Sequence, residues 1–443
     1  MQEPGITYSS SRRAWFVVAV LTILNTASFI DRQILSLLVE PIRADLHIGD
    51  TAISLLMGFS YALFFTAAGL VVSRLVDSGS RRGLIAVSFT ARGIFTSLSA
   101  LVPGLPFLAA MRMAAGVGQS GFSTSAYSLL SDYFPAQRRT TAISVYQIGI
   151  YAGSGLAFII GGGLIAFTSH QTEWILPLVG AVKPWQLTLL LTALPGLFLT
   201  PLVFTIAEPA RQETRAGPNS GGVPVKEVRE YFRSIRAALI PHNLGFGLVA
   251  LGGYAMGAWN PAFFIRRFGW TATEAGLIVG GSSLIAGLAG TIGGGRLADA
   301  LIARGRRDGA LRVAVWAISV GAPLAVGMYF APTAAVAIAL QIPVALALSC
   351  CSGIGIASLQ QVIPNQMRGQ ASALFVLVVT TLGLGAGPTA VAAFAEFVLR
   401  DDQRLHVALA VVIGSAWAIA AVLLYRAAKP FAAAAEALSR NSK

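Results

Sequence analysis

Asp31 and Arg32 stand side by side in FIDRQ, and Arg112 and Gln119 stand seven residues apart in RMAAGVGQ. Each of these short motifs sits inside a long apolar run. Ionisable residues in such a setting are costly to keep and are functional by default. The chemistry they offer is charge exchange: an anion competes with a carboxylate for a guanidinium, or the carboxylate takes up a proton. A helical rise of about 1.5 Å per residue puts Asp31 roughly 10 Å and Arg112 roughly 9 Å inside the outer ends of their segments. Gln119 lies two turns beyond Arg112 and on the same face. Asp31, Arg112 and Gln119 are therefore expected to line one wall of a cavity. Adjacent helical residues point about 100° apart, so Asp31 and Arg32 do not face each other. Arg92, midway along another apolar run, is open between a cavity role and snorkelling toward lipid phosphate. Arg32, Arg92 and Arg112 outnumber Asp31, so the site is expected to attract an anion. The later runs offer Asn260, Gln341, Gln360 and a large aliphatic and aromatic surface instead of charge. A cavity cationic on one side and apolar on the other suits an amphiphilic anion, such as a lysolipid or a lipid phosphate.

The elements that must position these residues follow from composition. Of 443 residues, 55% are hydrophobic and 12% charged, with mean hydropathy +0.70. Ordinary soluble domains carry about 25% charged residues. Here the charges cluster between long apolar runs, the pattern of a polytopic helical membrane protein. Hydropathy predicts about twelve spans. The fold class expected is an all-α membrane protein with twelve transmembrane helices in two six-helix, pseudo-symmetric halves. The halves are residues 1–207 and 236–443, the second ending in a short cytoplasmic tail. Residues 208–235 form a cytoplasmic linker containing GPNSGG and a basic, helical KEVREYFRSIR. Arg12 and Arg13 precede an apolar stretch with no small-residue cleavage site, which predicts an uncleaved first span.

The net charge of +13 does not point to nucleic acid, because the basic residues gather in alternate loops. Arg81, Arg82, Arg138, Arg139, Arg304, Arg306 and Arg307 stand on one side, and only a few, such as Arg43, Lys183 and Arg266, on the other. That asymmetry predicts cytoplasmic termini and a cytoplasmic linker. Cys350 and Cys351 are expected to be small buried hydrophobes, and no Cys/His cluster has metal-site spacing. No cofactor or metal is expected. Gly149 and Gly153 recur as Gly383 and Gly387 with equal spacing, a weak repeat between the halves. These glycines are expected to be close-packing surfaces, not phosphate cradles, since no strand precedes them and no Lys follows.

SRLVDSGSRR after the second run resembles the loop motif of the major facilitator superfamily, with Asp77, Arg81 and Arg82 matching and Ser73, Ser78 and Ser80 departing. GRLADALIARGRR resembles a second copy, supplying Gly295 and Asp299. FIDRQ, RMAAGVGQSGFSTSAYSLLSDYFPAQRR, LPGLFLTPLVFTIAEPAR and NQMRGQASALFVLVVTTLGLGAGPT, in that order, resemble the Spinster-like branch and its bacterial relatives. The resemblance covers nearly the whole chain. It implies a bacterial inner-membrane secondary transporter working by alternating access, acting as a monomer on a small-molecule or lipid substrate among membrane lipids. It implies a substrate and proton site at Asp31, Arg32, Arg112 and Gln119. It also implies a cytoplasmic gate of Asp77, Arg81, Arg82, Asp132, Arg139 and Asp299. Where the branch has Glu, this chain has Gln119, which cannot titrate, so proton coupling is left open.

Other functions remain in view. A proton-coupled transporter of a small organic acid or drug fits the same frame, although Ser154 replaces the Pro of the antiporter pattern after Gly153. A non-transporting membrane sensor would share the fold but has no appended signalling domain here. A lipid-modifying enzyme would need a convergent nucleophile and base, and His47, His170, His242 and His406 all lie near run ends.

Overall fold

In a membrane, an apolar run can satisfy its backbone only as a helix or in a closed barrel. The computed structural model describes residues 10–101, 104–134, 136–177, 179–209, 225–364 and 367–441, and it is built almost wholly of helices. The GPNSGG segment, with Arg211 and Arg215, lies outside the described residues.

In chain order the helices are α1 (Ser11–Gln33), α2 (Val39–Leu46), α3 (Asp50–Ser54), α4 (Ser60–Ser78), α5 (Arg81–Ser99), α6 (Leu105–Tyr133), α7 (Ala136–Thr168) and α8 (Pro184–Leu199). They continue as α9 (Val225–Ser234), α10 (Arg236–Phe268), α11 (Ala272–Ala303), α12 (Gly309–Tyr329), α13 (Ala334–Leu359), α14 (Arg368–Val379), α15 (Gly387–Ala393) and α16 (Leu405–Asn441). Wider π turns at Leu55–Phe59 and Thr380–Ala386 join α3 to α4 and α14 to α15. The charged KEVREYFRS stretch forms α9, as its sequence suggests. A small antiparallel hairpin, β1 (Trp174–Leu176) and β2 (Gly180–Val182), was not foreseen; Gly180, at φ +88°, supplies the turn.

Ten segments among the described residues are long and apolar enough to cross a membrane. The expected count of twelve differs for a physical reason. Neither α5 nor α6 is among the ten, and these helices carry the buried Arg92 and Arg112. α4 is reached through α3 from Asp50, and α16 continues to Asn441.

The chain groups into two compact units. The first holds Met1–Ile48, Ser60–Asn219 and Trp270–Gly281; the second holds Gly49–Phe59, Ser220–Gly269 and Ser282–Lys443. In the first unit α1 packs along α7, and α5 and α4 pack along α6. Its core includes Leu21, Leu24, Phe89, Phe122, Leu129 and Tyr146. In the second, α10 and α12 both pack along α16, and α12 also packs on α13. Trp259 on α10 donates to the Pro388 carbonyl at 2.9 Å, and Trp417 on α16 donates to the Val249 carbonyl at 3.2 Å. The α3 end is fastened in the same unit by Arg266, whose two Nη groups donate to the buried Asp50 carboxylate at 2.7 and 2.9 Å.

The repeated glycines hold equivalent places in the two units. A Cβ on Gly149 would meet the Thr22 carbonyl at 2.9 Å, and one on Gly153 the Thr26 carbonyl at 2.5 Å, both on α1. A Cβ on Gly383 would meet the Tyr254 ring at 2.7 Å, and one on Gly387 the Leu251 carbonyl at 2.5 Å, both on α10. They are close-packing surfaces, as their sequence context suggests.

Candidate functional site

Three helices of the first unit bring charge to one buried place, and a fourth packs against it. Asp31 lies in the last turn of α1, Arg92 midway along α5 and Arg112 in the second turn of α6. α5 starts at a side-chain cap, Ser80 Oγ accepting from Gly83 N at 3.1 Å, and α6 starts with Pro106 in its first turn. α8 supplies Gly196, where a Cβ would stand 3.5 Å from Arg92 Nη2 and 3.7 Å from Asp31 Oδ2. A side chain larger than Ala there would press on the ion pair.

That pair is the centre of the site. Arg92 Nη1 donates to Asp31 Oδ2 at 2.5 Å, and both side chains are 2% exposed. The partner of Asp31 is therefore Arg92, not Arg32 or Arg112, and Arg92 is a buried residue rather than a snorkelling one. Arg112 is near enough for its charge to act on Asp31. Its guanidinium lies over the Tyr61 ring at 5.4 Å. Arg32, half-buried, lies over the same ring at 5.6 Å and over Phe29 at 5.1 Å. Tyr61, 3% exposed, thus gathers two of the cations, and sequence reasoning missed it because it is neutral. Its one signal is position, at the start of an apolar helix beside Ser60.

Several polar atoms here have no hydrogen-bond partner among the described residues. They are Asp31 Oδ1, Nε and Nη2 of Arg92, Nε and Nη2 of Arg112, and Gln119 Oε1. Gln119, on the face of α6 that continues from Arg112, spends its amide on Ser123 Oγ at 3.1 Å. Buried polar groups are nearly always satisfied, so a cluster left open calls for an explanation. Two fully buried guanidiniums stand against one carboxylate, an excess of one positive charge that an anion would balance. A guanidinium edge accepts a carboxylate or phosphate in two parallel hydrogen bonds. The polar residues noted in later runs are partly committed elsewhere: Asn260 accepts from Tyr329 Oη at 2.8 Å, and Gln341 donates to Ser282 Oγ at 2.7 Å.

A second charged cluster lies in the same unit at the opposite ends of these helices. Arg81 is ion-paired with Asp132 of α6, with 2% and 6% of the side chains exposed. Glu208, which sequence reasoning left in the linker, completes the cluster. It accepts from Ser80 Oγ, and from Arg81 N at 2.7 Å, so it caps the start of α5. Burial opposes its ionisation, but the hydrogen bonds from Ser80 and Arg81 outweigh that and hold its carboxyl below the ordinary value of 4.5. Arg81 Nη2 reaches the Pro209 carbonyl at 2.8 Å, and Arg82 Nη1 the Ile206 carbonyl at 3.4 Å. Arg81, Asp132 and Glu208 all belong to one unit, so their contacts hold that unit together. Asp299 is exposed on α11 and belongs to the second unit. Asp77 on α4 and Arg139 on α7 lie outside the described side chains.

The family model for the Major Facilitator Superfamily matches residues 21–388. An MFS-type efflux pump of Mycolicibacterium smegmatis (strain ATCC 700084 / mc(2)155) is 27% identical over 427 residues, 94% of this chain and 93% of its own. Protein spinster of Drosophila melanogaster is 23% identical over 410 residues, 90% of this chain and 65% of its own. The crystal structure of a bacterial homologue of the human lysosomal transporter Spinster, inward-facing and unoccupied, is similar with a TM-score of 0.76 at 22% identity. That likeness covers 97% of this chain and 98% of the other.

Proposed function

From the premise that the chain belongs to the Major Facilitator Superfamily, as a Spinster-like secondary transporter, we propose that it moves an amphiphilic or organic anion by alternating access. The observation that carries this is the set of unpartnered N–H groups on Arg92 and Arg112, buried around a single carboxylate. The anionic head, a carboxylate or phosphate, binds Arg112 in two parallel hydrogen bonds, with Arg92 adding attraction while it keeps Asp31. Tyr61 holds Arg112 and Arg32 to the site, and Gln119 Oε1 accepts from a donor on the substrate. Apolar surface further along the path takes the tail. A lysolipid or lipid phosphate has both parts.

In this reading the chain crosses a bacterial inner membrane twelve times, α5 and α6 joining the ten apolar segments, as a monomer with both termini cytoplasmic. Residues 1–207 and 236–443 are the two halves, joined by a linker at 208–235. The excess of Arg and Lys in alternate loops supports the orientation. Arg81 and Asp132, with Arg82, form the cytoplasmic gate's share of the first half.

A second reading is export of a smaller organic acid or drug. It is favoured by the efflux pump that matches nearly end to end. Thermal-shift measurements on the purified protein separate the two. Lysophospholipids with a single anionic head should raise Tm, and neutral lipids of equal chain length should not. Short organic anions acting as strongly as the lysolipids would favour the second reading. Neutral analogues acting as strongly as anionic ones would end both.

A further inference from the structure

A groove of about 500 Å³ lies on the second unit, away from the buried charges described above. Val228, Phe232, Leu239 and Ile240 line it, with Leu374 of α14 and three arginines, Arg229, Arg233 and Arg236. Residues 229, 233, 236 and 240 fall on successive turns as α9 passes through Ile235 into α10, so they share one face. Val228 and Leu239 are buried, while Ile240 is 54% exposed, which leaves an apolar floor with an open side. The three arginines are exposed, and none forms an ion pair among the described residues. The acids of α9, Glu227 and Glu230, are exposed and do not line the groove. α9 is held in place by its other side, where Tyr231 Oη donates to the Val362 carbonyl at 2.6 Å.

We propose that this groove binds the phosphate headgroup and upper acyl chain of an anionic phospholipid from the cytoplasmic leaflet. The inference rests on the membrane orientation proposed above, which puts α9 at that surface. Charge complementarity selects the occupant. Three guanidiniums around an apolar floor match a phosphodiester attached to a hydrocarbon chain, and their stems cover the first methylenes while their heads reach the phosphate. A zwitterionic lipid would bring a cation into the same cluster of arginines. Bound there, the lipid fastens the start of α10 to α14 and so bears on the segment that joins the halves.

The test uses the full chain in detergent and in nanodiscs. Native mass spectrometry with added phosphatidylglycerol or phosphatidylcholine should show phosphatidylglycerol retained about tenfold better. The triple variant R229Q/R233Q/R236Q, at exposed positions, should lose that preference. A preference unchanged in the variant would overturn the proposal. Independently of any variant, a photoactivatable phosphatidylglycerol should label peptides within 228–240 or around Leu374, and unlabelled phosphatidylglycerol should compete where phosphatidylcholine does not. Labelling confined to other helices, or equal competition by both lipids, would also overturn it. Arg112→Ala serves as the control. It should retain phosphatidylglycerol normally while losing the anion-induced Tm shift, so failure of the transport reading and failure of this one are read separately.

Discussion

Asp31 and Arg92 are each 2% exposed and hold each other at 2.5 Å, so neither can be neutralised without stranding the other. Breaking a buried pair by removing one partner costs roughly 3–5 kcal/mol. Asp31→Asn is therefore expected to lower Tm markedly and to abolish transport. Arg112 makes no such bond, so Arg112→Ala is expected to abolish transport with a much smaller loss of Tm. Differential scanning fluorimetry and substrate flux in proteoliposomes check both. Wild-type flux from either variant would remove these residues from the site. The double variant Asp31→Asn with Arg92→Gln is expected to recover part of the Tm without recovering flux, because it removes the guanidinium that Asp31→Asn alone strands and leaves only Arg112 uncompensated. That Asp31 and Arg112 would both be buried was legible from their place in apolar runs. The choice of Arg92 as partner was not, because rise fixes depth while rotation about the axis depends on packing that one chain segment does not encode. Tyr61 was illegible for another reason: a neutral aromatic in an apolar run looks like core until the cations above it are seen.

At the level of elements, the glycine spacing and the charge clusters were readable in advance, and the irregular turns were not. Gly149 and Gly153 repeat as Gly383 and Gly387, and each pair lets one helix approach another to a distance at which a Cβ would touch backbone or ring. The π turns at Leu55–Phe59 and Thr380–Ala386 left no mark in hydropathy, since an extra residue in a turn changes register and not composition. The role of Glu208 was hidden by its place in the linker, where its reach back to α5 spans 127 residues of sequence. Its cap gives a pH-dependent prediction. The folded carboxyl ionises below its ordinary value of 4.5, so its stabilisation is present above that value and is lost as pH falls through the lower folded value. Glu208→Gln is expected to lower Tm at neutral pH, and the gap from wild type is expected to close as pH falls through the lowered folded value. A gap of equal size at every pH would mean that shape, not charge, makes the cap.

For the whole molecule, the open question is what drives the cycle. A proton-coupled carrier needs an acid that changes its charge as substrate comes and goes. The buried acid of this site is Asp31, and its charge is taken up by Arg92. Protonating it would leave the buried guanidiniums of Arg92 and Arg112 without a counter-charge unless an anion replaced it. The anion does not have to replace it, because Arg112 presents free N–H groups of its own and can bind while Asp31 keeps Arg92. Transport by this chain is therefore expected to depend weakly or not at all on an imposed proton gradient. Gln119→Glu changes that balance. It puts a second carboxylate on the face of Arg112, and two acids sharing a buried site with these cations titrate as a coupled pair, one of them taking up a proton within reach of neutral pH. The substitution is expected to create or strengthen gradient dependence. Flux in proteoliposomes with and without a pH gradient, measured for both forms, decides the matter. Gradient-driven flux already strong in the Gln119 form would mean that Asp31 leaves Arg92 during the cycle and carries the proton alone, and the argument from its pairing would fail.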